Sequence, residues 1–451
     1  MSEPVTGMAQ RESWGSRGAF VIAAIGAAVG LGNVWRFSYV AGENGGATFL
    51  LVYLAAIFVL GIPLVIAEVA IGRHSKADAI ESYRVISRNP LWIAPGVLGV
   101  LSCFLIMTFY LVVAGWALKY FSGALTGLLW QRAAEEFGGY FEDFVADPWQ
   151  PVFWQFLMAL GAVTVVAAGV RAGIERLTRI VTPLLALIVL LLAIRGLTLP
   201  GGGAGLAFLF DPDWSLLATP GIYLAAIGQA FFSLSLGLGL YVTYGSYLGS
   251  EHRLPGAVSA VVAGDTLMAV LSGIAIFPAV FAFGLDPASG PQLVFITLPQ
   301  VFLAMPAGQV VGVLFFFLLA AAALSASISG VEIPTAYVMR RLRWPRRRAA
   351  ITVGSAIFIC GIPASLGFGL WADIDWSGRN ILESTDYLVS NVLLPSGGLL
   401  TALLVGWRWS SPALRETALE GRRIGRLWIA LLKFAIPPLI VVIFLRAVGV
   451  I

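Results

Sequence analysis

Two cysteines and two histidines in 451 residues exclude several kinds of chemistry. Cys103 and Cys360 stand far apart inside apolar runs, so they form no disulfide framework and no metal-ligand spacing, and both read as buried thiols. His74 and His252 fall in loops, which excludes a histidine proton relay within a membrane. Charge is also scarce. Only 12% of residues are Asp, Glu, Lys or Arg, against 59% hydrophobic, a balance too apolar for a soluble multidomain enzyme. No nucleophile–base grouping or phosphate-cradling glycine loop appears, so no enzyme is expected. The net charge of +4 does not mark a nucleic-acid partner, because the basic residues sit in short loops.

What the chain has in abundance is long apolar runs. Stretches near 18–40, 47–71, 91–122, 152–170, 174–194, 219–247, 256–284, 308–338, 349–370, 386–407 and 427–449 each approach or exceed the roughly 20 residues needed to cross a bilayer. The expectation is an all-α membrane protein with eleven transmembrane helices. With a cytoplasmic amino terminus, the inside loops hold most of the 28 basic residues, notably Arg73, Arg84, Arg171, Arg340 and Arg346 to Arg348. The opposite loops are acidic, with Glu135, Glu136, Glu142 and Asp143 after the third span. Eleven spans then leave the carboxyl terminus outside. The first 17 residues are too polar for a signal peptide, so the first span is expected to serve for insertion.

That first span is irregular. Gly26-Ala27-Ala28-Val29-Gly30-Leu31-Gly32-Asn33 weakens the helix where lipid offers freed peptide groups no partner, and Trp35-Arg36-Phe37 follows at once. An arginine there costs roughly 2.5–3.5 kcal/mol unless it is paired or solvated. The sixth span repeats the device: Ala225-Ala226-Ile227-Gly228 echoes Ala23-Ala24-Ile25-Gly26, and Ser235-Leu236-Gly237-Leu238-Gly239 interrupts it. Five spans apart, the two breaks predict an inverted 5+5 repeat with a polar site between unwound helices 1 and 6. Asp265, deep in the seventh span, then needs a proton or a cation, and a bound cation is preferred. Arg36 is expected to pair with Asp386 at the start of the tenth span. Ser325, Ser327 and Ser329 are by themselves no more than helix-bonded hydroxyls, and Tyr110 is equally an ordinary packed aromatic.

Arg11-Glu12-Ser13-Trp14, then Ala28 to Phe37, Glu43-Asn44-Gly45-Gly46, Gly61-Ile62-Pro63-Leu64, Gln229 to Gly237 and Leu324-Ser325-Ala326-Ser327 resemble the neurotransmitter:sodium symporter family over spans 1–10. The eleven-span ending is similar to its bacterial amino-acid branch. This resemblance implies a first sodium site from the Ala28 carbonyl, Asn33, Ser233, Asp265 and the substrate carboxylate. A second would use carbonyls of Gly26, Val29 and Ala322 with Ser325, lacking one usual hydroxyl at Ala326, for which Ser327 or a water would compensate. One or two sodium ions are therefore implied. The substrate would lie against Ala28, Gly30, Leu31, Gly32, Tyr110 and Ser233, with its side chain among Ile106, Phe232, Ser235, Leu238, Ala326 and Gly330. Three of these look smaller than in leucine-carrying members, leaving room for a larger apolar or aromatic side chain. Gly30 stands where monoamine carriers place an aspartate, which favours amino acids.

The same resemblance implies an outer gate of Arg36 and Asp386, a lid of Tyr110 and Phe232, and an inner latch of Arg11 and Trp14 whose acidic partner is replaced by Arg340. Glu68 matches a carboxylate that supports the unwound sixth span. Ala269 stands where chloride-dependent members have a serine, and Asp265 supplies a fixed negative charge instead, so chloride independence is expected. The divisions implied are a cytoplasmic segment 1–17, repeats 18–197 and 217–409, and an eleventh helix 424–451. The function implied is sodium-coupled symport of hydrophobic or aromatic L-amino acids by alternating access across a bacterial inner membrane. The alternatives are another zwitterion, such as taurine or a β- or γ-amino acid, and a non-transporting amino-acid receptor. Oligomeric state is left open.

Overall fold

The computed structural model describes residues 13–249, 254–288, 293–376 and 378–447. Among these, nine continuous helices are long and apolar enough to cross a membrane: Ala47–Ser75, Pro90–Thr126, Gln150–Ala167, Val170–Leu197, Leu254–Ala282, Gly308–Leu342, Arg346–Leu366, Ile381–Arg408 and Arg423–Leu445. A tenth, Arg17–Ala28 with Gly32–Glu43, bends by 53° at its break. The shorter helices Pro220–Ser233 and Leu240–Ser246 occupy the stretch read as the sixth span and are separated by a break. Among the described residues the fold is thus all-α, with nine continuous spans and a tenth that is bent.

Helix starts follow local chemistry. Asn89 accepts from the Leu91 N–H ahead of Pro90, whose missing N–H is harmless in a first turn. Asn380 and Glu383 form a reciprocal capping box ahead of span 10. That cap starts the helix at Ile381, so Asp386 lies in its second turn rather than at its start. Spans 3 and 8 are the longest, and at 1.5 Å per residue each runs about 50 Å, packed along the other. They and span 2 are mostly buried, whereas spans 4 and 11 keep most of their apolar surface outward as a lipid-facing rim. Cys360 belongs to that outward surface in span 9, which corrects its reading as a buried thiol; Cys103 is buried. Short helices at Ala79–Ile86, Phe137–Ala146, Gly203–Phe210 and Thr297–Ala304 occupy stretches read as loops or span margins.

The two halves of span 6 lie against the two halves of span 2, and span 1 leans on spans 5, 7 and 8. This packing brings the two breaks face to face. An added Cβ on Gly32 would stand 3.1 Å from the Phe232 ring.

Candidate functional site

The break in span 1 reassigns its own donors. In a continuous helix the N–H groups of Gly30, Leu31 and Asn33 would bond to the carbonyls of Gly26, Ala27 and Val29. Instead Gly30 N–H donates to Asn33 Oδ1 (3.1 Å), Leu31 N–H to the Tyr110 hydroxyl (3.0 Å) and Asn33 N–H to the Gly30 carbonyl (3.3 Å). The released Gly26 carbonyl accepts from Ser325 Oγ at 2.6 Å. The helix then resumes as a wide π turn over Gly32–Arg36. Gly30 is required by close approach, since a Cβ there would lie 2.6 Å from the Tyr110 hydroxyl and 2.9 Å from Ala326 Cβ.

Span 6 opens differently. Ser235, Gly237 and Gly239 all adopt left-handed backbone, with φ of 52°, 76° and 73°. Ser235 bears this strain as a non-glycine residue. The freed Gly237 N–H donates to Glu68 Oε1 at 2.9 Å, so Glu68 does support the unwound segment.

Between the breaks, Asn33 Nδ2 donates to Asp265 Oδ1 (2.7 Å), to the Asp265 carbonyl (3.0 Å) and to Ser233 Oγ (3.2 Å). Ser233 Oγ donates to Asp265 Oδ2 at 2.8 Å, and the Tyr53 hydroxyl lies 3.4 Å from Ser233 Oγ. Asp265 is fully buried, and among the described residues no cationic side chain pairs with it. A buried carboxylate without a counter-charge is destabilising by several kcal/mol unless a proton or cation joins it. Beside this knot lies a cavity lined by Ala28, Gly30, Gly32, Ile106, Tyr110, Phe232, Ser235, Leu238, Ala326 and Gly330. All ten are expected substrate contacts, and Cys103, Met107 and Ser329 join them. Leu31 contributes through its N–H and Ser233 belongs to the Asp265 knot. The space freed at Gly330 is not empty: a Cβ there would meet Met107 Sδ at 2.3 Å.

At the Gly26–Ser325 contact, Val29 and Ala322 are both buried. Ser327 does not reach this place, because its hydroxyl back-bonds to the Ala323 carbonyl (2.8 Å) in its own helix. Thr182 does. Its Oγ1 would stand 2.4 Å from a Cβ on Gly26, and it donates to the Ile22 carbonyl at 3.4 Å.

The ion pair expected between Arg36 and Asp386 is not formed. Arg36 Nη1 donates to Gln229 Oε1 at 2.8 Å, and its guanidinium lies 4.7 Å over the Phe232 ring. Gln229, fully buried, donates through Nε2 to the Gly32 carbonyl at 2.8 Å, while Asp386 accepts from Ser390 Oγ at 2.7 Å. A neutral amide thus holds Arg36 to the span-1 break, and the carboxylate stays with its own helix. At the other end, Trp14 Nε1 donates to the Tyr244 carbonyl (3.0 Å) and its ring packs edge-on against Tyr244 and Tyr247. Gly15 N–H donates to Glu175 Oε2 at 3.0 Å, and Arg171 bonds to Ser13. Arg11 lies outside the described residues. Arg340 faces Asp78 at 3.3 Å, and burial raises that carboxyl above its ordinary range.

A sequence model of the Sodium:neurotransmitter symporter family matches residues 11–140 and 147–451. An uncharacterised sodium-dependent transporter of Bacillus subtilis is 38% identical over 441 residues, covering 97% of this chain and 98% of that protein. Another uncharacterised sodium-dependent transporter, from Haemophilus influenzae, is 35% identical over 450 residues, with coverages of 97% and 98%. The crystal structure of MhsT in complex with L-phenylalanine superposes with a TM-score of 0.92 at 52% identity, over 97% of this chain and 100% of that one. The chain belongs to the sodium:neurotransmitter symporter family and is a multi-pass, sodium-coupled transporter, not an enzyme.

Proposed function

We propose that the protein imports hydrophobic or aromatic L-amino acids with sodium, independently of chloride, by alternating access across a bacterial inner membrane. The observation that carries this reading is the adjacency of the Asn33–Ser233–Asp265 knot to a mainly apolar cavity lined in part by Tyr110 and Phe232. A substrate carboxylate would take the N–H groups of Leu31 and Gly32 and the Tyr110 hydroxyl, which suits the positive start of a half-helix. Its amine would face carbonyls around Ala28, Phe232 and Ser233. The side chain would lie among Ile106, Phe232, Ser235, Leu238, Ala326 and Gly330. The phenylalanine complex of MhsT, at 52% identity, supports an amino acid with an aromatic side chain.

The first sodium would bind the Ala28 carbonyl, Ser233, Asp265 and Asn33, whose amide turns to offer its oxygen. The second would bind carbonyls of Gly26, Val29 and Ala322 with Ser325, and the Thr182 hydroxyl beside Gly26 would supply the one lacking at Ala326. Two sodium ions crossing with a zwitterion at 100 mV contribute roughly 4.6 kcal/mol to uptake. Closure would carry Arg36 from Gln229 to Asp386 above the Tyr110–Phe232 lid, and release of the segment with Arg11 and Trp14 would open the inside. Repeats 18–197 and 217–409 would rock about these breaks, with 424–451 at the rim, the amino terminus cytoplasmic and the carboxyl terminus outside.

Uptake into proteoliposomes across the twenty amino acids, with taurine and γ-aminobutyrate as competitors, tests this. Sodium-dependent accumulation of phenylalanine, leucine or tryptophan is expected. Accumulation without sodium, or preference for taurine, contradicts it. Sodium-dependent binding without uptake would mark a receptor.

A further inference from the structure

The outer surface of span 3 holds a second cavity, remote from the breaks. It measures about 760 Å³ and is walled by Lys119, Thr126, Arg132, Tyr140, Phe144 and Trp154, among others, from span 3, the turn that follows it, the helix Phe137–Ala146 and the start of span 4. Lys119 sits about two turns before the end of its span and is only 9% exposed. Its ammonium makes no hydrogen bond and no ion pair among the described residues. What surrounds it is aromatic: the nitrogen lies 3.5 Å from the Phe144 ring centroid and 4.7 Å from that of Tyr140. Arg132 covers the same Tyr140 ring at 3.9 Å. Two cations thus share one tyrosine beside this cavity, and the buried position of Lys119 leaves their repulsion weakly screened.

The acidic groups nearby are engaged elsewhere or face water. Asp147 accepts from the N–H groups of Trp149 and Gln150, both at 2.8 Å, and these bonds hold its carboxyl below the usual range. Glu136 and Asp143 also line the cavity, but Glu136 turns back onto the Ala133 N–H and Asp143 is exposed to solvent, whereas Lys119 is buried. Leu128 lines the cavity and is exposed, and the exposed Leu125, Trp149 and Phe153 are chain neighbours of its lining residues Thr126, Gln150 and Trp154. A ligand that fits has an anionic group for Lys119 and Arg132 and a hydrocarbon part for these apolar side chains.

We infer that this cavity binds the phosphate of an anionic phospholipid, its glycerol headgroup between Lys119 and Arg132 and its acyl chains along Leu125, Leu128 and Phe153. The inference is independent of the transported solute, and its test uses no uptake measurement. Native mass spectrometry of the purified chain with equal amounts of phosphatidylglycerol and phosphatidylcholine of the same acyl composition reads it directly. Retention of phosphatidylglycerol is expected to exceed that of phosphatidylcholine by roughly tenfold or more, the scale of one charge-assisted contact. Lys119→Met is expected to abolish the preference and Arg132→Gln to reduce it. Should Lys119→Met fail to fold, judged by thermal unfolding, the half-buried Arg132→Gln decides alone. Equal retention of the two lipids, or a preference unchanged in the folded variants, overturns the inference. So does displacement of the lipid by millimolar inorganic phosphate that itself protects the protein from heat, because the site would then belong to a soluble anion.

Discussion

Replacing Asp265 by asparagine removes one charge and almost no volume, which makes it the sharpest probe of the ion site. The carboxylate accepts from Asn33 Nδ2 and Ser233 Oγ at 2.7 and 2.8 Å. An asparagine keeps one acceptor, and the Ser233 hydroxyl turns to accept from the new amide, so the fold should lose no more than about 1 kcal/mol. The electrostatic change is larger. A unit charge about 4 Å from a sodium ion contributes on the order of 4 kcal/mol at an effective dielectric of 20, close to a thousandfold in affinity. Relaxation and water reduce this, so a loss of roughly a hundredfold in sodium affinity is expected. Sodium-dependent binding of labelled phenylalanine to the purified protein, titrated in chloride and then in gluconate, measures it. The native chain should give one curve in both salts, and the variant a weaker one that chloride partly restores. Binding of the native protein that stops in gluconate, or a variant with native sodium affinity, refutes the fixed-charge argument.

Three further substitutions address other contacts. Gln229→Leu removes the hydrogen-bond partner of the Arg36 guanidinium and one of the two donors to the Gly32 carbonyl, which keeps the Phe37 N–H, so about 2 kcal/mol of stability should be lost in thermal unfolding, with a larger fall in transport than in sodium binding. Ser325→Ala deletes the hydroxyl on the Gly26 carbonyl, and the sodium dependence of uptake should lose its cooperativity; an unchanged Hill slope would place the second ion elsewhere. Met107→Ala vacates the space beside Gly330, and at roughly 0.8 kcal/mol per buried CH₂ the tryptophan-to-leucine preference should rise about tenfold in a competition assay.

The breaks were legible because backbone rules are local. Gly30 and Gly32 in one span, and Ser235, Gly237 and Gly239 in another, announce interrupted helices by composition alone, and both spans are interrupted there. Asp265 was legible for a similar reason: a lone carboxylate in an apolar run has few ways to exist. Partnerships were not. Gln229 carries no periodic signal that joins it to Arg36, 193 positions away, and the obvious opposite charge at Asp386 proved to be held by Ser390. Met107 looks like any apolar residue until span 8 places Gly330 against it. Ser327 matched by spacing, yet helical rotation points its hydroxyl back along its own turn. The short helix Phe137–Ala146 was hidden because its apolar face is only ten residues long, too brief to distinguish from a polar loop.

The contacts of span 1 explain how one site can sense ion, substrate and gate together. Gly26, Gly30, Leu31, Asn33 and Arg36 fall within about three turns, and their groups are held by Ser325, Asn33, Tyr110, Asp265 and Gln229 respectively. On the proposed reading, a sodium ion that drew the Asn33 oxygen to itself would take that acceptor from the Gly30 N–H, and a substrate carboxylate at the Leu31 N–H would compete with Tyr110 for it. Gly32 is tied to Gln229, so any movement of this segment also moves the partner of Arg36. The coupling free energy between ligands would then arise from shared groups of span 1, with no long chain of packed residues needed to carry it. Only an interrupted helix frees the Gly26 carbonyl and the Gly30 and Leu31 N–H groups for this, because in a regular one each of these is already bonded within its own helix.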